Sequence, residues 1–556
     1  MHDRTAGSPI ELTVFTKEGG PLTKQISLAP DGTLIQDKSA CVMSRGAAAR
    51  VMVDGVNGLG ELIEKLTPSQ AIALGALRAD LPDKVEVTTK KNLRNGTVRP
   101  DLIARVAANI VYRGPAFALI DFDTKSMPDP VAAGLRQHGG FWPALLAVLP
   151  VLDGVARLTR SSTSAGLSRS DTGKALPGSD GVHVYLMVRD GADVERFLRA
   201  LHDRCWLAGL GWFVVSSSGA LLDRSLVDRM VGQASRLVFE GGPILQPPLQ
   251  QDKARRRPTS VLGAVLDTVE ACPPLSIAER SRLDELKAKE RERMAPEKAK
   301  AQAAFVARQA RKLVERTGVS EAVARQIVSR QCEGILRPVV ELVFDDPDLS
   351  GCTVGDVLSD PERFEGETLA DPLEGADYGP GKARIMRGDD GTPWIHSFAH
   401  GRTVYELRHD AASVRGAMEQ AAKEQVVAVF ARLAAAADLD AIELAELREK
   451  AKTLSGAGLR EINSMLKAAQ KQHAKKQAQG ARARRAAQRQ DPRPLIRAPA
   501  PDEPWLPQMK VLNEVVGGVE EEVPPVRNID ADATRVRKLR VRDMHAFTSA
   551  NEGDAA

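Results

Sequence analysis

Two aspartates close an apolar run, Phe117-Ala118-Leu119-Ile120-Asp121-Phe122-Asp123. Alternate residues of a strand share a face, so Asp121 and Asp123 would point the same way. Two carboxylates held that close in apolar surroundings repel each other and are poorly solvated, which asks for a neutralising partner. A hard divalent cation meets that need, because Mg²⁺ is typically held by one or two carboxylates with substrate phosphates completing its shell. Without such a partner the same residues are a buried strand running into a polar turn.

Further along the chain, groups of matching chemistry recur. Arg160-Ser161-Ser162-Thr163-Ser164-Ala165-Gly166 sets small hydroxyl side chains beside an arginine, a composition that suits phosphate and equally suits a polar turn. Ser179-Asp180-Gly181-Val182-His183-Val184-Tyr185 is a glycine turn entering an alternating strand, with His183 and Tyr185 on one face. His183 is then either a satisfied structural residue or a phosphate ligand. Asp223 and Asp228 each follow an apolar pair, Leu221-Leu222 and Leu226-Val227, so either could supply a third carboxylate. Arg224 gives Asp223 a ready ion-pair partner, which favours Asp228 for the role. Arg236 stands before a short strand and the turn Gly241-Gly242.

The elements that must position these groups follow from periodicity. Residues 1 to 60 alternate apolar runs with turn signals and read as a meander. The spacing of Leu59, Leu62, Ile63 and Leu66, then Ala71, Leu74 and Leu77, predicts a helix over 60–81, and a further helix is predicted over 101–111. Residues 84–89 read as a strand, 128–158 as largely helical, 192–208 as a helix with Val194, Phe197, Leu198 and Leu201 on one stripe, and 212–215 as a strand. Residues 1–250 therefore read as one α+β domain. Lys253 to Arg257 mark a basic linker over 251–277. A helical accessory module follows over 278–345, broken at Thr317-Gly318 and recapped by Ser320. Residues 346–410 read as a small β-rich domain, with a hairpin of 382–386 and 393–398 and a third strand at 404–407. His396 and His400 lie four apart in it. No cysteine spacing assists them, so no zinc is expected. Residues 411–490 are helical with a basic end: Lys467, Lys471, Lys475, Lys476, Arg482, Arg484, Arg485 and Arg489, with no acidic residue among them. Such a stripe suits sequence-independent phosphate contact or is simply a solvated helix end. Residues 491–556 open Pro-rich and lack periodicity, the pattern of a largely disordered tail.

Composition bounds what these pieces can be. In 556 residues, 43% hydrophobic side chains supply real cores, and aromatics at 4% make those cores aliphatic. A net charge of +4 means that any nucleic-acid surface is local. Five scattered cysteines, never at Cys-x-x-Cys spacing, argue against a disulfide framework. The most apolar stretch, 141–155, carries two prolines and is too short for a bilayer, so a cytoplasmic protein without a membrane partner is expected.

The order of the chemical pieces resembles the three-motif signature of the archaeo-eukaryotic primase, or prim-pol, superfamily: Ile120-Asp121-Phe122-Asp123, then Gly181-Val182-His183, then Leu226-Val227-Asp228. From about Ser39 to Pro247 the chain resembles primase-type replication proteins of bacterial plasmids, prophages and integrative elements. The resemblance implies an RNA-recognition-like sheet with a small α/β unit, and nucleotidyl transfer to a 3′-hydroxyl on a single-stranded DNA template. It implies two Mg²⁺ or Mn²⁺ ions on Asp121, Asp123 and Asp228, with Asp223 the alternative. It also implies that His183 contacts the incoming nucleoside triphosphate, with Arg160, Ser162 and Arg236 as phosphate or template contacts. No Gly-x-x-x-x-Gly-Lys-Ser/Thr occurs, so a replicative helicase would have to be a separate chain. The other readings are a non-catalytic replication or DNA-binding protein of the same fold, and an unrelated two-metal nucleotidyltransferase or nuclease. The His183 strand is what separates the primase reading from that last one.

Overall fold

Two sheets organise the first half of the chain, a mixed α+β protein, in a computed structural model. The described residues are 9–89, 92–93, 99–123, 126–176, 181–379, 381–388, 391–399 and 404–488, with short strands at 495–497, 527–529 and 536–538. The larger sheet runs Leu237–Val238, Gln70–Ala73, Pro9–Lys17, Gly46–Asp54, Lys84–Thr88, Leu102–Ala104. Its long strand Pro9–Lys17 is covered on both faces. Ile10, Leu12 and Val14 enter one core, and Phe15 enters another with Leu22, Val85, Val87 and Ile103.

The smaller sheet is antiparallel throughout and runs Ala116–Phe122, Val182–Val188, Arg157–Ser161, Thr259–Val261. These are called below the acidic strand, the histidine strand, the arginine strand and the edge strand. The first two are near-continuous apolar runs because both of their faces are covered. Helix Gly55–Lys65 lays Val56, Leu59 and Ile63 into the same core as Leu119, Leu158 and Val184. Gly55 makes the abrupt strand-to-helix turn at φ 58°, a left-handed conformation that favours glycine. Helix Val194–Leu207 buries the stripe predicted for it, Val194, Phe197, Leu198 and Leu201.

Three predicted elements come out differently. The helix expected over 60–81 ends at Lys65, and the rest becomes strands Gln70–Ala73 and Ala76–Leu77. Pro68 interrupts the helix, and Ala71, Ile72 and Ala73 are all fully buried, so no alternation was there to reveal a strand. Residues 101–111 form strands Leu102–Ala104 and Ile110–Val111, paired with 86–88 and 76–77. Sheet partners far away in sequence decided both cases. Residues 251–277 are not a linker, since Leu249–Gln251 pairs with Leu167–Arg169 and Thr259–Val261 is the edge strand of the smaller sheet.

The helical module and the small β-rich domain share one core. Helix Ile277–Arg293 opens on a capping box of Ser276 and Glu279, helix Ala295–Thr317 stops at Gly318 with φ 74°, and Ser320 caps Glu321–Cys332. Phe305 and Ile327 from these helices pack with Phe344, Phe364, Ile385, Ile395 and Tyr405. The five-stranded sheet there runs Ile335–Leu336, Val404–Leu407, Pro393–Ser397, Ala383–Arg387, Thr368–Leu369. Glu374 ties this part to the tip of the hairpin Gly211–Val215 and Leu221–Ser225, accepting from Ser218 Oγ at 3.0 Å and Ser217 Oγ at 3.3 Å. All of this lies in one compact unit, 1–421 with 437–450. The other unit, 422–436 with 451–556, packs helix Val426–Ala434 on helix Leu459–Gln488. Among the described residues no helix is long and apolar enough to cross a membrane.

Candidate active site

Strand register brings the first three chemical residues into one row. Asp121 pairs with His183, and His183 pairs with Arg160 on its other side. Residues directly opposite on neighbouring strands project to the same face, so a carboxylate, an imidazole and a guanidinium stand side by side. The row is closed at one end and open at the other: the side chain of Arg160 is 8% exposed, that of His183 13% and that of Asp121 36%.

Beneath the closed end lies Glu240, which sequence reasoning did not single out. Its carboxylate is 1% exposed and takes hydrogen bonds from Tyr185 Oη at 2.6 Å and Arg160 Nη1 at 2.7 Å, with His183 Nδ1 at 2.5 Å. Arg256 approaches the same carboxylate at 3.7 Å. Burial alone would raise this carboxyl, but the charge and hydrogen bond of His183, with those of Arg160 and Tyr185, hold it down to about 2. The neighbour Gly241 leaves no room for movement, since a Cβ there would lie 2.4 Å from the Thr67 carbonyl oxygen. For His183 burial pulls the other way, toward the neutral ring. Glu240, with help from Asp121, outweighs it and raises the imidazole above its ordinary value. With Nδ1 committed to Glu240, Nε2 faces Asp121 Oδ1 at 3.5 Å.

At the open end three carboxylates gather. The Asp228 main-chain N–H reaches the Asp121 carbonyl at 3.3 Å, and its Oδ1 accepts from Met230 N at 2.8 Å, which fixes the turn. Burial raises the Asp121 carboxyl; His183 and Arg236 draw it down, and Asp228 and Asp123 push it up. Two cations stand in the same field. Lys24 is drawn down by burial and by Lys38 and pulled up by Asp121 and Asp123. Arg236 is exposed and donates Nη1 to the Met230 carbonyl at 3.1 Å.

Among the described residues no three His, Cys, Asp or Glu side chains stand close enough to form a ready-made cage. The groups present are hard oxygen donors, and the charges of Asp123 and Asp228 push the Asp121 carboxyl up. They fit Mg²⁺ or Mn²⁺ bound by one or two carboxylates and completed by water and ligand oxygens, and not a cage built from protein alone.

Other predicted site residues fall elsewhere. Arg160 is not available to a phosphate: it is buried, with Nε on the Arg256 carbonyl at 2.8 Å and Nη1 on Glu240. Ser162 donates its main-chain N–H to the Gly181 carbonyl at 2.9 Å, and its hydroxyl lies 3.5 Å from Ser164 Oγ, so it continues the join between the arginine and histidine strands. Asp223 is consumed by Trp206 Nε1 at 2.7 Å, Lys287 Nζ at 2.9 Å, His202 Nε2 at 3.1 Å and Arg229 Nη1 at 3.1 Å. Burial works against its charge, but His202, Lys287 and Arg229 hold the carboxyl well below the usual range. Of the two candidate third carboxylates, Asp228 is the one beside Asp121. In the second unit Lys467, Lys471, Lys475 and Lys476 are exposed on helix Leu459–Gln488. Arg482, Arg484 and Arg485 fall within the same helix, while Arg489 and His400 lie outside the described residues.

Glu240 had a signal in the sequence: a lone acid between Val238-Phe239 and Gly241-Gly242 asks for a buried cation, as Asp121 does. Lys24 had none. Comparison of the chain with family models, with curated proteins and with solved structures finds no match.

Proposed function

We propose that the chain is a nucleotidyltransferase of the primase-polymerase type, a DNA primase of a mobile genetic element that adds nucleotides to a 3′-hydroxyl on a single-stranded DNA template. The observation that carries this reading is the convergence of Asp121, His183 and Asp228, which lie far apart in the chain, at one open end of a sheet. Asp121, Asp123 and Asp228 would hold Mg²⁺ or Mn²⁺, and two such ions supply activation of the attacking hydroxyl and stabilisation of the leaving pyrophosphate. His183, oriented by Glu240, whose charge favours the protonated ring, would donate its Nε2–H to a phosphate oxygen of the incoming triphosphate. Lys24 and Arg236 draw the polyphosphate toward the carboxylates. Arg160 acts through Glu240, whose charge it balances, and is a positioning residue. A helicase on a separate chain would open the template.

The test is incorporation of labelled nucleotide on a primed single-stranded template with Mg²⁺ or Mn²⁺. The double variant Asp121→Asn with Asp123→Asn should fold normally by circular dichroism and lose incorporation. Undiminished incorporation in that variant overturns the reading.

A further inference from the structure

The five-stranded sheet of the second core buries one face and leaves the other open. Along Pro393–Ser397, Ile395 and Ser397 point inward at 0% and 2% exposure, so Trp394 and His396 point outward. Phe398 follows in the same direction and is 52% exposed. The three rings form a ladder with centroids 5.8 Å apart from Trp394 to His396 and 4.9 Å from His396 to Phe398, each pair edge to face. On the adjoining strand Ala383 and Ile385 are buried, so Arg384 and Met386 share the rings' face, directly opposite His396 and Trp394. Lys382 completes that row, its carbonyl accepting the Phe398 N–H at 2.7 Å. Glu406, on the same face opposite Trp394, is paired with Arg408. In a chain with only 4% aromatic residues, three outward rings beside two cations, Lys382 and Arg384, are not a compositional accident.

We propose that this face is a platform for single-stranded nucleic acid, with bases stacked on Trp394, His396 and Phe398 and phosphates held by Lys382 and Arg384. Every base has a π-face that an aromatic ring can stack on, and cations alongside track the backbone. A duplex hides those faces, so the platform selects single strands. The ring of His396 stays neutral at pH 7, because burial and Arg384 hold it below the ordinary histidine value. The cationic row favours a polyanion over an apolar protein surface.

Lys382 lies within electrostatic reach of Arg236, one of the two cations at the acidic site. Lys382 Nζ lies 5.4 Å from the Tyr378 ring centroid, and Arg236 and Lys38 are among the charges that act on it. Glu374, on the loop before Tyr378, is the residue bonded to Ser217 and Ser218. Use of the bound strand as a template rests on the proposed function, but the binding itself does not.

The experiment is fluorescence anisotropy of a labelled oligothymidylate with the whole chain in EDTA and without nucleotides. Phe398→Ala with His396→Ala should weaken binding at least about tenfold, base stacking on aromatic side chains being of that size, with the far-ultraviolet spectrum and melting temperature unchanged. Binding to a duplex of the same length should not change. Oligothymidylate should quench part of the tryptophan fluorescence, and Trp394→Phe should remove that quenching while keeping affinity within about threefold, since phenylalanine still stacks. Lys382→Ala with Arg384→Ala should lower the slope of log affinity against log salt by about one. Undiminished oligothymidylate binding in the folded ring variant overturns the platform, as does equal loss of duplex and single-strand binding. A ring variant that keeps its oligothymidylate affinity but changes sedimentation would assign the face to a second copy of the chain, against the proposal. Binding that follows the pattern expected here in a protein that never incorporates nucleotide leaves the platform standing and rejects the catalytic reading.

Discussion

A buried carboxylate that takes bonds from a histidine, a tyrosine and an arginine fixes both the direction of the imidazole and its proton. Replacing Glu240 by Gln keeps the shape and removes the charge, leaving Arg160 and Arg256 buried without a counter-ion. The expected loss is about 3–5 kcal/mol, the range for breaking a buried pair from one side, read from urea unfolding. The His183 ring should then titrate below its wild-type value in an NMR pH series, because the group that raised it is gone. The signs for the wild type follow from linkage. Glu240 sits lower in the folded chain than its ordinary 4.5, so its contribution is present above that pH and is lost as pH falls toward about 2. His183 is raised, so its contribution is present below its ordinary 6.5 and is lost as pH climbs through the raised value. Unfolding midpoints across pH should show both flanks, and the acid flank should shrink in Glu240→Gln. A second contrast separates the two neighbouring acids. Asp223→Asn should lower the melting temperature, since it removes the charge that Lys287, Arg229 and His202 share, whereas Asp228→Asn should spare the melting temperature and abolish incorporation. The strands that carry Asp121 and His183 were legible in the sequence because their apolar spacing is local. The neighbours of Glu240 signalled its burial but not its partners, because Arg160 and His183 lie 80 and 57 positions away.

Elements were legible where their own periodicity decided them and illegible where a distant partner did. Helix Val194–Leu207 and the hairpin of Ala383–Arg387 with Pro393–Ser397 carry their stripes in their own sequence. Residues 70–77 and 102–111 are short strands whose ladder bonds go to partners elsewhere in the chain, and their alanines and valines serve helix and strand equally. The edge strand Thr259–Val261 hid behind a basic run that resembled a linker. At this scale Asp371 is the joint of the second core. At 2% exposure it accepts from the main-chain N–H groups of Leu373 at 2.9 Å and Glu374 at 2.8 Å, and from Ser397 Oγ at 2.6 Å. Asp371→Ala should destabilise the protein by on the order of 3 kcal/mol, as the loss of several bonds to a buried charge would. It should also free the loop that carries Glu374, which hydrogen exchange at residues 371–375 would register.

The chain forms two compact units. The exposed lysines at 467, 471, 475 and 476 belong to the second, and any phosphate contact made there would be sequence-independent and salt-sensitive. Deleting residues 467–489 should weaken DNA binding and flatten its salt dependence while incorporation on a saturating template persists; an unmoved salt slope would mark the stripe as a solvated face. The row of Asp121, His183 and Arg160 also has a consequence for how the protein is made. Its strands are laid down in the order acidic, arginine, histidine, but the carboxylate that balances two of its members comes at 240, Arg256 follows, and the edge strand that closes the sheet ends at 261. Non-local pairing of this kind is slow, and domains assemble as their last strand becomes available. On the ribosome, then, more than a hundred residues of largely apolar strand and helix must wait, with Arg160 and His183 unmatched, until the chain beyond residue 261 has cleared the exit tunnel. The interval between synthesis of the acidic strand and arrival of the edge strand is when this chain is most exposed to chaperones and proteases.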